Sequence, residues 1–336
     1  MKNNHHDDRL DMGIQCRSGC KLFVVGGAGY IGSHMVKQAH NVGYEVIAID
    51  NLVTGYRDAV LYGKFEYCDI LDARRLTQLF TQYKPDAVIH FGGYSIVSES
   101  VRDPYKYYYN NVAGSLNLFK VMVDTGCKKL IFSSTAAIFG DPEYLPIDEA
   151  HIKKPINPYG KSKLMVEEML KDFDSAYGLK YISFRYFNAA GHDPEGELSE
   201  RHDPETHLLP IVIRAANGER GPVNVFGVDY DTFDGTCIRD YIHVNDLVNA
   251  HLKGLVYLNN KSNMSTEINL GNNNGFSVKE VIQKIKDIMN KDFEVIDEER
   301  RDGDPPALIA SNKKAKKELS LSPDYVSLES IIKTLA

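Results

Sequence analysis

Cysteine is scarce in this chain, and the few thiols present do not form a framework. Cys16, Cys20, Cys68, Cys127 and Cys237 are five in number and scattered through 336 residues, which excludes a disulfide scaffold and suits a reducing compartment. Cys16 and Cys20 would hold a metal only with two further ligands, and His5 and His6 are the sole nearby ones; a polar leader with no metal is the expectation. Long apolar runs are missing too, none approaching the roughly 20 residues of a membrane span. The leader lacks the apolar centre of a secretory signal, so a cytoplasmic protein without a membrane partner is expected. Positive charge is also in deficit: a net charge of −7 leaves no basic footprint for general nucleic-acid binding. A local cationic pocket for an anionic substrate remains open.

What is present is ordinary globular material, 43% hydrophobic and 25% charged, in a chain long enough for one large or two modest domains. Residues 1–20 are polar and without period and are read as a flexible extension. From Lys21 onward, short apolar runs alternate with helical stretches. Strands are expected over 21–25, 45–49, 65–67, 87–91, 129–133 and 181–185, and helices over 30–41, 73–83, 105–124 and 158–177. That alternation predicts an α/β fold, a Rossmann-like doubly wound parallel sheet. A loop over 192–207, rich in charge, proline and glycine, leaves it. A smaller α/β region follows, with helices over 208–217, 244–258 and 278–289 and strands over 223–226 and 267–270. The expected division is a nucleotide-binding domain over 21–190, with 240–272 returning to it, and a mainly substrate-binding region over 191–336.

Gly26, Gly29 and Gly32 directly follow the first strand. In that position glycines permit a tight turn, close approach of backbone to a pyrophosphate, and close packing of helix on sheet. The helix start then offers free N–H groups to phosphate. A structural turn alone would also explain three glycines. Asp50 adds weight, because it ends the second strand about 20 residues on, where an acid bonds both ribose hydroxyls and repels a 2′-phosphate. NAD is therefore favoured over NADP, against the plainer reading of a solvated turn aspartate.

Tyr159 and Lys163 stand four residues apart and so share one helix face. A free tyrosine is a poor base at neutral pH, but a nearby ammonium favours the phenolate, and a positive nicotinamide ring would lower its pKa further. Ser133, Ser134 and Thr135 follow an apolar strand, which places their hydroxyls at the carboxyl edge of the sheet, where ligands of such folds bind. Thr135 is positioned to bond the reacting oxygen. Taken alone, Tyr159 and Lys163 read equally well as an exposed helical pair.

In sequence order, the glycine turn, strand-end acid, Ser/Thr strand end and Tyr-x-x-x-Lys resemble the extended short-chain dehydrogenases/reductases. Gly26-Gly27-Ala28-Gly29-Tyr30-Ile31-Gly32-Ser33-His34, Asp50-Asn51-Leu52, Arg185-Tyr186-Phe187-Asn188 and the run from Asp234 to His243 narrow this. They resemble the UDP-glucose 4-epimerase family, also called UDP-galactose 4-epimerases, over nearly the whole chain. The resemblance implies reversible interconversion of UDP-glucose and UDP-galactose through transient oxidation at C4 by bound NAD, in a homodimer. It makes Tyr159 the acid/base, Thr135 its hydroxyl partner and Lys163 the cation that also bonds the nicotinamide ribose. Tyr30, Ile31, Asp50, Asn51, Asp69, Ile70, Phe91, Gly93, Asn111 and Phe187 would line the NAD site, although Ile70, Phe91 and Phe187 read equally as core. For the UDP-hexose it implies Arg239 and Arg301 on the diphosphate and Phe226 against uracil. Asp304 would meet the uridine ribose, and Asn188, His207, Leu208 and Leu308 complete the pocket.

The chain also departs from the family pattern. Ser95 stands where some members carry lysine, His207 where others have asparagine, and Leu308 where some have a tyrosine that narrows the sugar pocket. The sequence ends at Ala336, short of the family's usual aromatic tail, which is expected to loosen the end of the second region. Leu308 suggests that N-acetylated UDP-hexoses also react. A 4,6-dehydratase would need an acid pair where Ala136 and Ala137 stand. A UDP-glucuronate epimerase or another extended nucleotide-sugar enzyme is the alternative, and a non-catalytic NAD-sensing module the rival from another class.

Overall fold

Short runs rich in β-branched and aromatic residues, each followed by an amphipathic stretch, can bury both faces only by stacking helices on either side of a parallel sheet. The computed structural model, which describes residues 19–260, 264–301 and 303–335, has that arrangement. The first half runs β1 (Lys21–Val25), α1 (Tyr30–Asn41), β2 (Glu45–Asp50), β3 (Lys64–Tyr67), α2 (Ala73–Tyr83), β4 (Ala87–His90), α3 (Val97–Arg102), α4 (Pro104–Tyr107), α5 (Gly114–Thr125), β5 (Lys129–Thr135), α6 (Pro158–Tyr177) and β6 (Lys180–Tyr186). The second half runs β7 (Asn188–Ala190), α7 (Leu208–Ala216), β8 (Val223–Phe226), β9 (Ile238–His243), α8 (Val244–Asn259), β10 (Thr266–Leu270), β11 (Gly275–Ser277), α9 (Val278–Met289), β12 (Val295–Glu298), β13 (Ala307–Leu308), α10 (Lys313–Leu319) and α11 (Leu328–Ile332). The leader with His5, His6 and Cys16, and the terminal Ala336, lie outside the described residues.

Seven strands form the main sheet in the order β10-β6-β5-β4-β1-β2-β3, and the pairs are parallel. The doubly wound α/β reading holds. The order reverses between β1 and β4, which opens a crevice beyond their carboxyl ends. One face buries Met35 and Val36 of α1 with Leu247, Leu252 and Leu255 of α8. The other buries Leu76 and Phe80 of α2, Leu118 and Met122 of α5, and Val166 and Leu170 of α6. Each such side chain contributes about 1.5–3 kcal/mol when fully buried.

Two differences from expectation bear on the site. The helix expected over 105–124 is interrupted by a π-helical turn at Tyr108–Ala113, and that wider turn seats Asn111 deep in the protein. Its side-chain oxygen accepts from the Tyr94 N–H at 2.9 Å while its amide donates to the Tyr94 carbonyl at 3.0 Å, so it clamps the loop after β4. Strand β9 was not expected, because Arg239 and Asp240 interrupt its apolar pattern. Asp240 is fully buried, yet it accepts from the N–H groups of Asn272, Asn273 and Ala310 at 2.8, 3.0 and 3.1 Å. It thus fastens three chain segments behind the second region, while burial pushes its pKa up to about 7.

Candidate active site

A cleft of about 700 Å³ lies at the carboxyl edge of the sheet, over the β1/β4 switch, and reaches across to β9 and β13. Its floor is the glycine turn. Gly26 has φ of 78°, and a Cβ there would lie 2.6 Å from the Gly92 nitrogen. At Gly32 a Cβ would drive into the Gly26 carbonyl, whereas at Gly29 the nearest protein atom is 3.4 Å away. The protein itself therefore requires the first and third glycines, and the second keeps backbone open to the cleft. Gly29 caps α1 without a side-chain bond, so the first N–H groups of that helix are free to meet an anion. Tyr30 and Ile31 line the cleft beside them, the Tyr30 hydroxyl donating to the Gly191 carbonyl at 2.5 Å.

Asp50, at the end of β2, lines the cleft and accepts from the Ala28 and Leu52 N–H groups at 3.0 and 2.8 Å. Burial raises its pKa. Asn51, Ile70, Phe91, Gly93 and Phe187 join the wall. Asp69 does not: its carboxylate accepts from the Asn51 side-chain amide and the Leu71 N–H, each at 2.8 Å. Asn111 likewise stands behind the wall as the Tyr94 clamp.

Thr135, Tyr159 and Lys163 converge on the middle of the cleft. Helix α6 starts close to the end of β5 because Asn157 caps it, accepting from the Gly160 N–H at 2.9 Å. Gly160 lets that turn press in, since a Cβ there would collide with the Ala137 carbonyl. The Thr135 side chain lies beside Tyr159 and favours its ionised form. Burial raises the phenol's pKa, with only Thr135 opposing it. Burial instead lowers the Lys163 ammonium to about 7, and its Nζ donates to the Ser133 carbonyl at 2.8 Å.

This reluctance to carry charge has a thermodynamic consequence. The folded protein gives up the Lys163 proton near pH 7 and the unfolded chain near its ordinary value of 10.5. Between those values the unfolded state binds the proton more tightly, so the penalty is full below pH 7 and vanishes as pH rises toward 10. Lys163→Met is expected to raise the melting temperature of the cofactor-free protein at pH 6–7, by roughly 2–4 °C per kcal/mol relieved. The gain should shrink toward pH 10. Calorimetry of both proteins across that range checks it, and a gain independent of pH would contradict it.

At the far end of the cleft stand Asn188, His207, Arg239, Arg301, Asp304 and Leu308. Arg239 is tied down: its guanidinium donates to the Ile238 and Pro305 carbonyls, both at 2.9 Å, and to Asp304 at 3.2 Å. Arg301 lies over the Phe226 ring, 3.8 Å from its centroid. Phe226, which the cleft lining does not include, is paired through one ring face with that cation. Leu208 opens α7 and packs into the second region's core. His207 is held at Nδ1 by Glu200 and Glu205, each at 2.8 Å, and their bonds raise its pKa to about 10 against the effect of burial.

Sequence reasoning missed those carboxylates, reading 192–207 only as a charged loop, although Glu200, His202, Glu205 and His207 fall within eight positions. It also missed the purpose of Arg185. That side chain is fully buried and grips Glu167 of α6 at 3.0 and 2.8 Å, while Ser134 donates to the same carboxylate at 2.6 Å. The pair locks α6, and with it Tyr159 and Lys163, onto β5 and β6.

A cleft so equipped belongs to a nicotinamide-dependent enzyme of the short-chain dehydrogenase/reductase type. The model of the NAD dependent epimerase/dehydratase family matches residues 22–271, and the chain belongs to that family. It is 48% identical over 311 residues to a UDP-glucose 4-epimerase of Halalkalibacterium halodurans, across 93% of each chain. It is similar to the crystal structure of UDP-glucose 4-epimerase from Brucella ovis in complex with NAD, with a TM-score of 0.91 and 46% identity over 94% of this chain and 97% of that one. The Bifidobacterium longum UDP-glucose 4-epimerase in complex with NAD+ and UDP matches with a TM-score of 0.89 and 35% identity, over 94% and 96% of the respective chains. Among the described residues no helix is long and apolar enough to cross a membrane.

Proposed function

We propose that this protein interconverts UDP-glucose and UDP-galactose by inverting C4 of the hexose, with NAD as resident cofactor. The observation that carries the reading is the meeting of Thr135, Tyr159 and Lys163 midway along one cleft, between a glycine turn at one end and Arg239 with Arg301 at the other. The glycine turn and the uncapped start of α1 would hold the pyrophosphate, and Asp50 the adenosine ribose. When bound, the nicotinamide supplies reversible hydride exchange with the sugar's C4. Tyr159 takes the O4 proton and returns it, Thr135 bonds the reacting oxygen, and Lys163 supplies positive charge beside the phenol.

Arg239 and Arg301 would hold the diphosphate, Asp304 the uridine ribose, and Asn188 and His207 add hydrogen bonds. Gripping the nucleotide while leaving the hexose free lets the ketose turn over without escaping, since binding energy from the unreactive part provides the positioning. Ala136 and Ala137 line the cleft, and methyl groups cannot transfer the protons a dehydratase must move.

A homodimer fits the outer surface. Tyr105, Tyr109, Leu116 and Met165, along the chain from α4 through α6, are 72%, 50%, 43% and 47% exposed, apolar side chains that a second copy would cover. Cytoplasmic residence accords with the buried free thiols Cys68, Cys127 and Cys237.

The test is to supply UDP-galactose without added nucleotide and follow UDP-glucose by NMR, then identify the nucleotide released on denaturation. No conversion even with NAD supplied would overturn the reading. Leu308 on the cleft wall further predicts turnover of UDP-N-acetylgalactosamine. Leu308→Tyr should lower that activity relative to UDP-galactose by roughly tenfold or more. An unchanged ratio of the two rates would remove Leu308 from this role.

A further inference from the structure

The loop leading from the main sheet to α7 carries more chemistry than the reaction uses. Four of its side chains gather at one point: His202 Nδ1 and His207 Nδ1 each lie 2.8 Å from Glu200 Oε1, and His207 Nδ1 lies 2.8 Å from Glu205 Oε1. We propose that Glu200, His202, Glu205 and His207 form a binding site for a divalent transition ion of the zinc class, which staples this loop into one conformation where it lines the cleft.

The donor set is the first argument. Two imidazoles and two carboxylates are borderline and hard ligands that suit zinc, and the same set accepts cobalt(II). Geometry is the second. One ligand atom from each residue lies within 4.8 Å of the others. A tetrahedral ion with ligands about 2.0–2.1 Å away needs donor separations of roughly 3.4 Å. That value falls between the closest contacts and the widest separation, so side-chain adjustment without a change of fold would close the shell.

An unmet bonding need is the third argument. The Glu205 side chain is only 2% exposed, and its Oε2 is buried with no hydrogen-bond partner. A buried carboxylate oxygen without a donor is costly, and a cation at this point would satisfy it. The Glu200 side chain is equally buried at 2% exposed. A neighbouring group offers a contrast. Asp193, Glu195 and Glu197 also cluster, but there the Lys37 ammonium already sits 2.6–2.7 Å from all three. Around Glu200 and Glu205 the partners are imidazoles, His202 and His207 on Glu200 and His207 on Glu205, and an imidazole, unlike an ammonium, becomes a metal ligand when the ion displaces its proton.

Position gives the ion its role. His202, Thr206 and His207 line the cleft, and the His202 ring packs near Tyr30 of the α1 start, 6.4 Å between centroids. An ion here, with all four ligands drawn from one loop, would hold that stretch of the cleft wall in a single conformation without entering the reaction.

The test starts from full-length protein stripped with chelator and titrated with cobalt(II). Expected are one equivalent bound, the visible bands of a tetrahedral ion without a thiolate charge-transfer band, and a raised melting temperature with zinc, as for any ligand that binds only the folded state. Glu205→Gln and His202→Asn should each weaken uptake by roughly tenfold or more. In the unsubstituted protein, zinc should shift the imidazole nitrogen resonances of two histidines among the eleven, a readout that does not depend on either variant folding. No uptake, uptake with a thiolate band, or uptake undiminished in both variants would overturn the proposal.

Discussion

Tyr159→Phe is expected to lower turnover by roughly 10²–10⁴-fold, the scale of lost general acid/base catalysis, while leaving nucleotide and UDP binding nearly intact. Only the hydroxyl is removed. The ring still packs edge-on against Tyr107, 6.3 Å between centroids, so the wall of the cleft keeps its shape. The size of the effect follows from the electrostatics. Burial alone holds the Tyr159 phenol above its ordinary pKa, and the nearby ammonium is itself weakened to about 7. In the protein alone the phenol therefore stays protonated at neutral pH. It becomes a base once positive charge is added next to it, which the oxidised nicotinamide brings on binding. Phenylalanine offers no atom through which that charge can act. Single-turnover and steady-state rates, set beside UDP affinity by calorimetry, check this. Turnover within a fewfold of the parent would take Tyr159 out of the reaction.

Glu167→Gln should be the most damaging substitution away from the cleft. Arg185 and Glu167 are both 0% exposed, and removing one charge strands the other in the interior, at a cost of about 3–5 kcal/mol. The loss should reach function as well as stability, because Glu167 joins α6 to Ser134 of β5 and Arg185 of β6. Replacing both partners with apolar residues, Arg185→Met with Glu167→Leu, should recover much of the stability, since an uncharged pair carries no stranded ion. Denaturant unfolding of the three proteins tests this. A single variant as stable as the parent would show that the pair does not anchor the helix.

Much of this was legible in the sequence because the signals were local. Glycines after an apolar strand, an acid at the next strand's end and Tyr159 four residues before Lys163 each encode geometry within one turn or one βαβ unit, and the doubly wound sheet follows from the strand–helix alternation. What stayed hidden depends on distant partners. Asp240 looked like a polar interruption until Asn272, Asn273 and Ala310 supplied its donors. The pairing of Phe226 with Arg301, far along the chain, could not be read from either residue's neighbours. The burial of Lys163, which lowers its pKa to about 7, is likewise not revealed by its spacing from Tyr159. The acidic partners of His207 lay in plain sight, yet a loop gives no periodicity from which their meeting could be read.

In the proposed reaction the C4 hydrogen leaves the sugar and returns to the same molecule, with Tyr159 moving only the O4 proton. Conversion of UDP-galactose deuterated at C4, run in ordinary water, tests that most directly. The account predicts UDP-glucose with the deuterium retained at C4. Deuterium lost to solvent during conversion would mean that C4 is inverted by proton exchange, and the roles given to the nicotinamide site and to Tyr159 would not stand.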